Sequence, residues 1–287
     1  MKFVIGGTLT ILSWDNPVTA FFEKVEKLRH SLGRPSRSDF VQFQFVGVHF
    51  NFWKHIFRKK KVTALERTTK MTGKCIIIGA GDLTMGEISV GENDYVIAVD
   101  GGLSYCGILN VEPDKLIGDF DSVSEKEREA VLSLQEQVPG LVMQLPAEKD
   151  DTDMLAALKY GLELGYADFR IYAGTGGRFD HTLANIQCLL YLKNHGATGY
   201  LVDGTGMMLV IQNEAVHFQK NLEGYLSLFS LGKEAKGVTI RGMKYTLEGY
   251  TLTNDYPIGI SNEFIGEEST IEVEDGELVC MIQYCVE

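Results

Sequence analysis

Lys115-Leu116-Ile117-Gly118-Asp119-Phe120-Asp121-Ser122 runs from an apolar, strand-like segment into two acids separated by one aromatic residue. In extended chain, positions i and i+2 point to the same side. Asp119 and Asp121 therefore stand together at the end of a strand, and two carboxylates held that way repel unless a cation bridges them. Two earlier runs share the design. Tyr95-Val96-Ile97-Ala98-Val99 ends on Asp100-Gly101-Gly102, and Cys75-Ile76-Ile77-Ile78 ends on Gly79-Ala80-Gly81. Short apolar runs closed by glycine or an acid read as buried parallel strands. Acids at the C-terminal ends of successive strands belong to the ligand crevice of an open α/β sheet.

Working outward, Ser124 and Glu127 form a capping-box pair, and Ala130, Val131 and Leu134 give the following helix its apolar face. Leu141–Leu145 reads as a further strand, leading through Pro146 to Lys149-Asp150-Asp151-Thr152-Asp153. Asp150 or Asp151 is expected to cap the next helix, whose core face is Leu155, Leu158 and Leu162. Asp153 falls in its first turn, where a carboxylate is favoured. Asp168–Ala173 is another strand, running into Gly174-Thr175-Gly176-Gly177-Arg178-Phe179-Asp180-His181. A helix from about Thr182 to Asn194 follows and stops near Gly196, and Tyr200–Asp203 is expected to complete the sheet. Past residue 206 helical spacing disappears. Short alternating runs recur at Met208–Gln212, Val216–Gln219, Tyr225–Leu231, Gly237–Arg241, Thr251–Thr253, Thr270–Val273 and Leu278–Tyr284. They read as an antiparallel sandwich or barrel.

A crowd of carboxylates cannot be buried together without a neutralising cation. The simplest is Mg²⁺, which takes a few carboxylates, several waters and the oxygens of a phosphate chain. The Gly-rich turn and Arg178 offer backbone N–H groups and a forked cation for those phosphates. The residues thus point to a Mg²⁺-dependent enzyme acting on a nucleoside polyphosphate. For Asp121 the competing reading is a turn residue bonding its own backbone. For His181 it is packing at a helix start, and for Lys149 an ordinary solvated lysine.

Charge divides the chain. Of 27 basic and 39 acidic residues, 13 and 5 lie in residues 1–70, leaving 14 and 34 for residues 71–287. A body at −20 repels nucleic acid and needs metal to bring a polyphosphate close. Residues 1–70 hold both tryptophans, an aromatic-basic stretch from Phe40 to Lys61, and helical spacing over Phe21–Leu32. The apolar run after Lys2 is too short for a membrane span, and Gly6-Gly7 dilutes it as a signal sequence. This part reads as a poorly structured, non-catalytic extension, with the folded body beginning at Met71. Five cysteines, an odd number without a C-x-x-C pair, read as reduced thiols of a cytoplasmic protein.

Taken in order, the motifs Asp100-Gly101-Gly102, Gly118–Ser122, Lys149–Asp153 and Gly174–His181 with Leu183-Ala184-Asn185 resemble the thiamine pyrophosphokinase family over about residues 75–287. The resemblance implies transfer of a pyrophosphoryl group from ATP to the thiamine hydroxyl, giving thiamine diphosphate and AMP. It implies a Rossmann-like α/β ATP- and Mg²⁺-binding domain over residues 71–205 and a β-sandwich thiamine-binding domain over 206–287. Asp100, Asp119, Asp121 and Asp153 take the catalytic places, with Asp119, Asp121 and Asp153 on Mg²⁺ and Asp100 accepting the hydroxyl proton. Lys149, Asp150, Thr175, Gly176, Gly177, Arg178, Asp180 and His181 fall to ATP. Ser227, Ser230, Tyr245, Ser261 and Asn262 fall to thiamine, partly across a homodimer interface. Many members carry tryptophan where Tyr245 stands. Two other classes share these features: a non-catalytic nucleotide or thiamine sensor, and a Mg²⁺-dependent phosphohydrolase. No nucleic-acid or membrane partner is expected.

Overall fold

The computed structural model describes residues 2–5, 8–11, 71–121, 123–148 and 150–285. Of the extension it describes one antiparallel hairpin, β1 (Lys2–Ile5) with β2 (Thr8–Ile11). The helix expected over 21–32 and the basic tract at 58–61 lie outside the described residues.

The body, Lys59–Glu287, is one compact unit. Its centre is β3 (Cys75–Ile78) and β4 (Tyr95–Val99), every residue of which is buried. β5 (Lys115–Gly118) and β6 (Val142–Gln144) add on one side, β7 (Asp168–Tyr172) and β8 (Thr198–Val202) on the other, all parallel. Burial on both faces is why β3 and β4 read as continuous apolar runs, whereas β7 and β8 alternate between buried and half-buried residues. The chain moves outward from β3 to β6, then crosses back to β7 beside β3. The strand order therefore reverses between β3 and β7, the kind of switch point beside which open α/β sheets bind ligands.

Among the described residues four helices join the strands. α1 (Leu103–Ile108) follows a 3₁₀ turn at Asp100–Gly102. α2 (Glu125–Gln137) starts at the expected capping box, with Ser124 Oγ accepting from Glu127 N and Glu127 Oε2 from Ser124 N. α3 (Asp153–Glu163) is capped by Thr152, whose Oγ1 accepts from Leu155 N at 3.1 Å. This corrects the expectation that Asp150 or Asp151 caps it: both Asp151 oxygens are spent on Lys159 Nζ, at 2.8 and 2.6 Å. α4 (Phe179–Asn194) begins three residues before the expected Thr182, inside the Gly-rich motif.

β8 does not complete the sheet, as Tyr200–Asp203 was expected to. β9 (Gly206–Gln212) pairs antiparallel with it, and β16 (Glu277–Tyr284), β11 (Gly224–Ser230) and β14 (Asn262–Glu263) extend one sheet to ten strands. A second sheet of four strands holds β10 (Ala215–Phe218), β15 (Ser269–Glu272), β12 (Glu234–Arg241) and β13 (Leu247–Thr253). Leu226, Leu228, Val238, Ile240, Ile271 and Cys280 are among the residues buried together in the core of this all-β sandwich. Phe169, Ile77, Ile97, Leu158 and Leu189 serve the core between the parallel strands and the helices. Among the described residues no helix is long and apolar enough to cross a membrane.

Candidate active site

Every acid read from the parallel strands leaves the sheet at the same end. Asp100 follows β4 with φ 49°, and Phe120, between Asp119 and Asp121, has φ 57°. Ala173, at the end of β7, has φ 50°. Each is a non-glycine residue in the left-handed region, at a cost of about 1–3 kcal/mol apiece. Three such residues at three strand ends mark the rim of the crevice. Close approach explains the neighbouring glycines. A Cβ on Gly118 would sit 3.1 Å from Asp100 Cα, and one on Gly102 only 2.1 Å from the Ile78 carbonyl oxygen. β5 can thus press its end against Asp100, and oxygens of Asp100, Asp119 and Asp121 come within 4.8 Å of one another. Asp121 N donates to Asp119 Oδ1 at 3.2 Å. One oxygen each of Asp100 and Asp153 is shut off from solvent. Asp153 stands in the first turn of α3, and the next residue, Met154, packs over the Gly79 position.

Oxygen-only donors at this spacing fit a hard divalent ion such as Mg²⁺. The set is a partial shell, which suits an ion completed by water and phosphate.

Across the switch point, the loops after β3 and β7 are zipped together. Gly79 N, Gly81 N and Asp82 N donate to the carbonyls of Tyr172, Ala173 and Thr175, at 2.8, 2.8 and 2.7 Å. Asn185 of α4 is buried and donates from Nδ2 to the Gly174 carbonyl at 2.7 Å. The Gly-rich turn is therefore fixed from below by a helix and from the side by a loop. Gly176 and Gly177 both have positive φ. Arg178 spans Asp180 with two bonds, Nε to Oδ1 at 3.1 Å and Nη2 to Oδ2 at 2.5 Å. That fork holds the Asp180 carboxyl below its ordinary range and raises the Arg178 guanidinium. His181 N also donates to Asp180 Oδ1, and the His181 side chain is exposed, as is Asp150. Lys149 lies outside the described residues.

In the sandwich Tyr245 is bonded to Asn262 and Ser261 to Ser227, while Ser230 turns to its own loop. Asn262 is buried. Its Oδ1 accepts from Tyr245 N and its Nδ2 donates to the Tyr245 carbonyl, at 3.0 and 2.7 Å. Ser261 N donates to Ser227 Oγ, and Ser230 Oγ donates to the Gly232 carbonyl. Tyr245 is 62% exposed. Lys244 lies 5.9 Å from its ring centroid while paired with Glu263, which raises the Lys244 ammonium.

Residues 89–201 match the family model for the catalytic domain of thiamin pyrophosphokinase, and residues 213–278 match the model for its vitamin B1 binding domain. A thiamine pyrophosphokinase of Bacillus subtilis (strain 168) is 30% identical over 189 residues, covering 66% of this chain and 86% of the relative. The chain belongs to the thiamine pyrophosphokinase family. Solved structures of that family share the architecture. The Bacillus subtilis thiamine pyrophosphokinase superposes with a TM-score of 0.66 at 28% identity, over 74% of this chain and all (100%) of the other. The thiamin pyrophosphokinase of Geobacillus thermodenitrificans gives 0.63 at 27% identity, over 75% and 99%.

Within this family member, three of the four acids assigned to catalysis come together, and Asp153 is not among that trio. Two residues that sequence reading left unassigned also stand at the crevice. Asn185 was visible only as part of a motif. Asp82 places its carboxylate against the Gly-rich turn, so that a Cβ on Gly176 would lie 2.3 Å from Asp82 Oδ2. Nothing local in the sequence around Asp82 signals that contact, because its partner lies 94 residues away.

Proposed function

We propose that this chain transfers a pyrophosphoryl group from ATP to the hydroxyl of thiamine, producing thiamine diphosphate and AMP. The meeting of Asp100, Asp119 and Asp121 within 4.8 Å, at the ends of two adjacent parallel strands, carries the reading. Such transfer asks the protein for charge neutralisation, alignment and exclusion of water rather than covalent help.

Asp119 and Asp121, with Asp100 beside them and Asp153 from α3, would hold Mg²⁺, whose positive charge would offset that of the phosphates during transfer. Asp100, beside that pair, would accept the thiamine hydroxyl proton. Gly176 and Gly177 let the backbone approach the triphosphate, and Thr175 and His181 flank that turn. The Arg178 fork suits phosphate oxygens bidentately. Asp180 holds that fork ready until phosphate competes for it. Asp150, and Lys149, which lies outside the described residues, are assigned to ATP by the resemblance of their motif alone.

In the sandwich, Asn262 fixes the backbone of Tyr245 so that its ring is offered to a cationic heterocycle. Ser227 accepts through Oγ and keeps its own hydrogen for a ligand. Ser230 and Ser261 shape the strand ends on either side. Tyr225, Tyr245, Tyr256, Ile258, Ile260 and Ile265 are large apolar residues left exposed in this part. That supports a homodimer through the sandwich, with thiamine near the joint. The cysteines are all free thiols, which supports a cytoplasmic location.

The deciding experiment measures AMP release from Mg·ATP with and without thiamine. AMP formed only with thiamine, in equal amount to thiamine diphosphate, is the expected result. AMP release indifferent to thiamine would replace this reading with a phosphohydrolase, and no AMP at all with a sensor.

A further inference from the structure

The bond between Asp119 and Asp121 runs through a strained residue, and the strain is held from outside the motif. Phe120 is buried, its φ is 57°, and its carbonyl accepts two bonds from Arg128 of α2, from Nε at 3.3 Å and Nη2 at 3.1 Å. Arg128 lies in the first turn after the Ser124–Glu127 capping box, with its N–H bonded to the Ser124 carbonyl. A cation in that turn opposes the helix dipole, so helix formation does not account for an arginine there. Side chains on a helix lean toward its N-terminus, which carries the guanidinium back over the loop that precedes α2. The capping box sets where α2 begins, and hence where the fork lands.

We propose that Arg128 is a positioning residue for the metal-binding carboxylates: its fork fixes the Phe120–Asp121 peptide plane in the one orientation that turns Asp121 toward Asp119 and Asp100. Phe120 is left-handed rather than extended, so the same-side rule for i and i+2 is not what pairs the two acids. The turn that Asp121 N closes on Asp119 Oδ1 pairs them, and that turn depends on how the Phe120 carbonyl is held. Arginine suits the task because its two N–H groups fix a plane, whereas a lysine ammonium supplies a point charge. The proposal rests on the metal reading above.

The test uses full-length protein stripped of divalent ions and titrated with Mn²⁺, following the electron paramagnetic resonance signal of the free ion. Each variant is read at a temperature where circular dichroism shows it fully folded. Arg128→Ala is expected to weaken Mn²⁺ binding by about 10–100-fold, the range for losing a group that orients a ligand. Because Arg128 is exposed, the thermal midpoint should move by no more than about 2 °C. In turnover, the Mg²⁺ concentration giving half-maximal rate rises while the thiamine KM holds. Arg128→Lys recovers only part of the loss. Mn²⁺ affinity within about twofold of the parent in Arg128→Ala overturns the proposal, and full recovery in Arg128→Lys overturns the role of the fork. Asp119→Asn is the control: if it too binds Mn²⁺ normally, the metal reading falls and takes the proposal with it.

Discussion

The two ends of the long sheet solve the problem of presenting polar groups in opposite ways. At the parallel end, Asp100, Asp119 and Asp121 converge within one chain because glycines let their strand ends touch and left-handed residues aim them. At the antiparallel end, Ser227, Ser230 and Asn262 spend polar groups on neighbouring backbone, and an aromatic face stays open to solvent. A charged site must be assembled before its ligand arrives, since carboxylates misplaced by an ångström leave an ion underbound. An apolar, stacking site can be completed late, by a ring or by a second surface.

Charge removal at the preassembled end should have the largest effect. Asp119→Asn and Asp121→Asn each take a charge from a ligand while keeping its shape, and each should cost at least about 100-fold in turnover. Near-normal turnover in either would remove that residue from the site and weaken the contrast. Asn185→Leu comes next. It leaves the Gly174 carbonyl buried and unsatisfied, which should lower stability by about 1–3 kcal/mol. The KM for ATP should rise while that for thiamine holds. A KM for ATP equal to the parent's would show that the Gly-rich turn keeps its shape unaided.

A smaller change is expected at the open end. Tyr245→Ala should raise the thiamine KM by about 2- to 30-fold, from the loss of roughly 0.5–2 kcal/mol of stacking and cation–π contact. The ATP KM should barely move and Tyr245→Trp should preserve binding. If both KM values worsened alongside the melting temperature, Tyr245 would be a packing residue and the two ends less distinct. The least effect is expected from thiol reagents. Burial raises the Cys106 and Cys280 thiols to about 12 and the Cys188 thiol to about 11, and Cys75 is raised further by the same cause. Their thiolates are scarce below those values, so at pH 8 a disulfide reagent should modify Cys285, the exposed one, without loss of activity. Rapid reaction of two or more thiols would show that the core opens.

Much of the parallel end was legible because its signals are local. Capping box, apolar strand and terminal acid each lie within a few residues of one another. The sandwich strands were legible as alternation, but their partners were not. β9 pairs with β16 across some seventy positions, Val210 against Val279, and a period of two carries no address. β14, two residues long, has too little pattern to read. Asp82 and Arg128 escaped notice because each acts on a backbone group outside its own element. The helix start at Phe179 was hidden by two preceding glycines, which read as loop.

The join between β8 and β9 has a further consequence. Tyr200, Leu201 and Val202 pair with Leu209, Met208 and Met207, so the acid cluster and the sandwich hang on one hydrogen-bonded backbone ladder. A closing rotation of one half against the other would have to tear those rungs, so whatever motion admits substrates and releases products falls to the surface turns. Turnover limited by such a step should respond to changes in those turns.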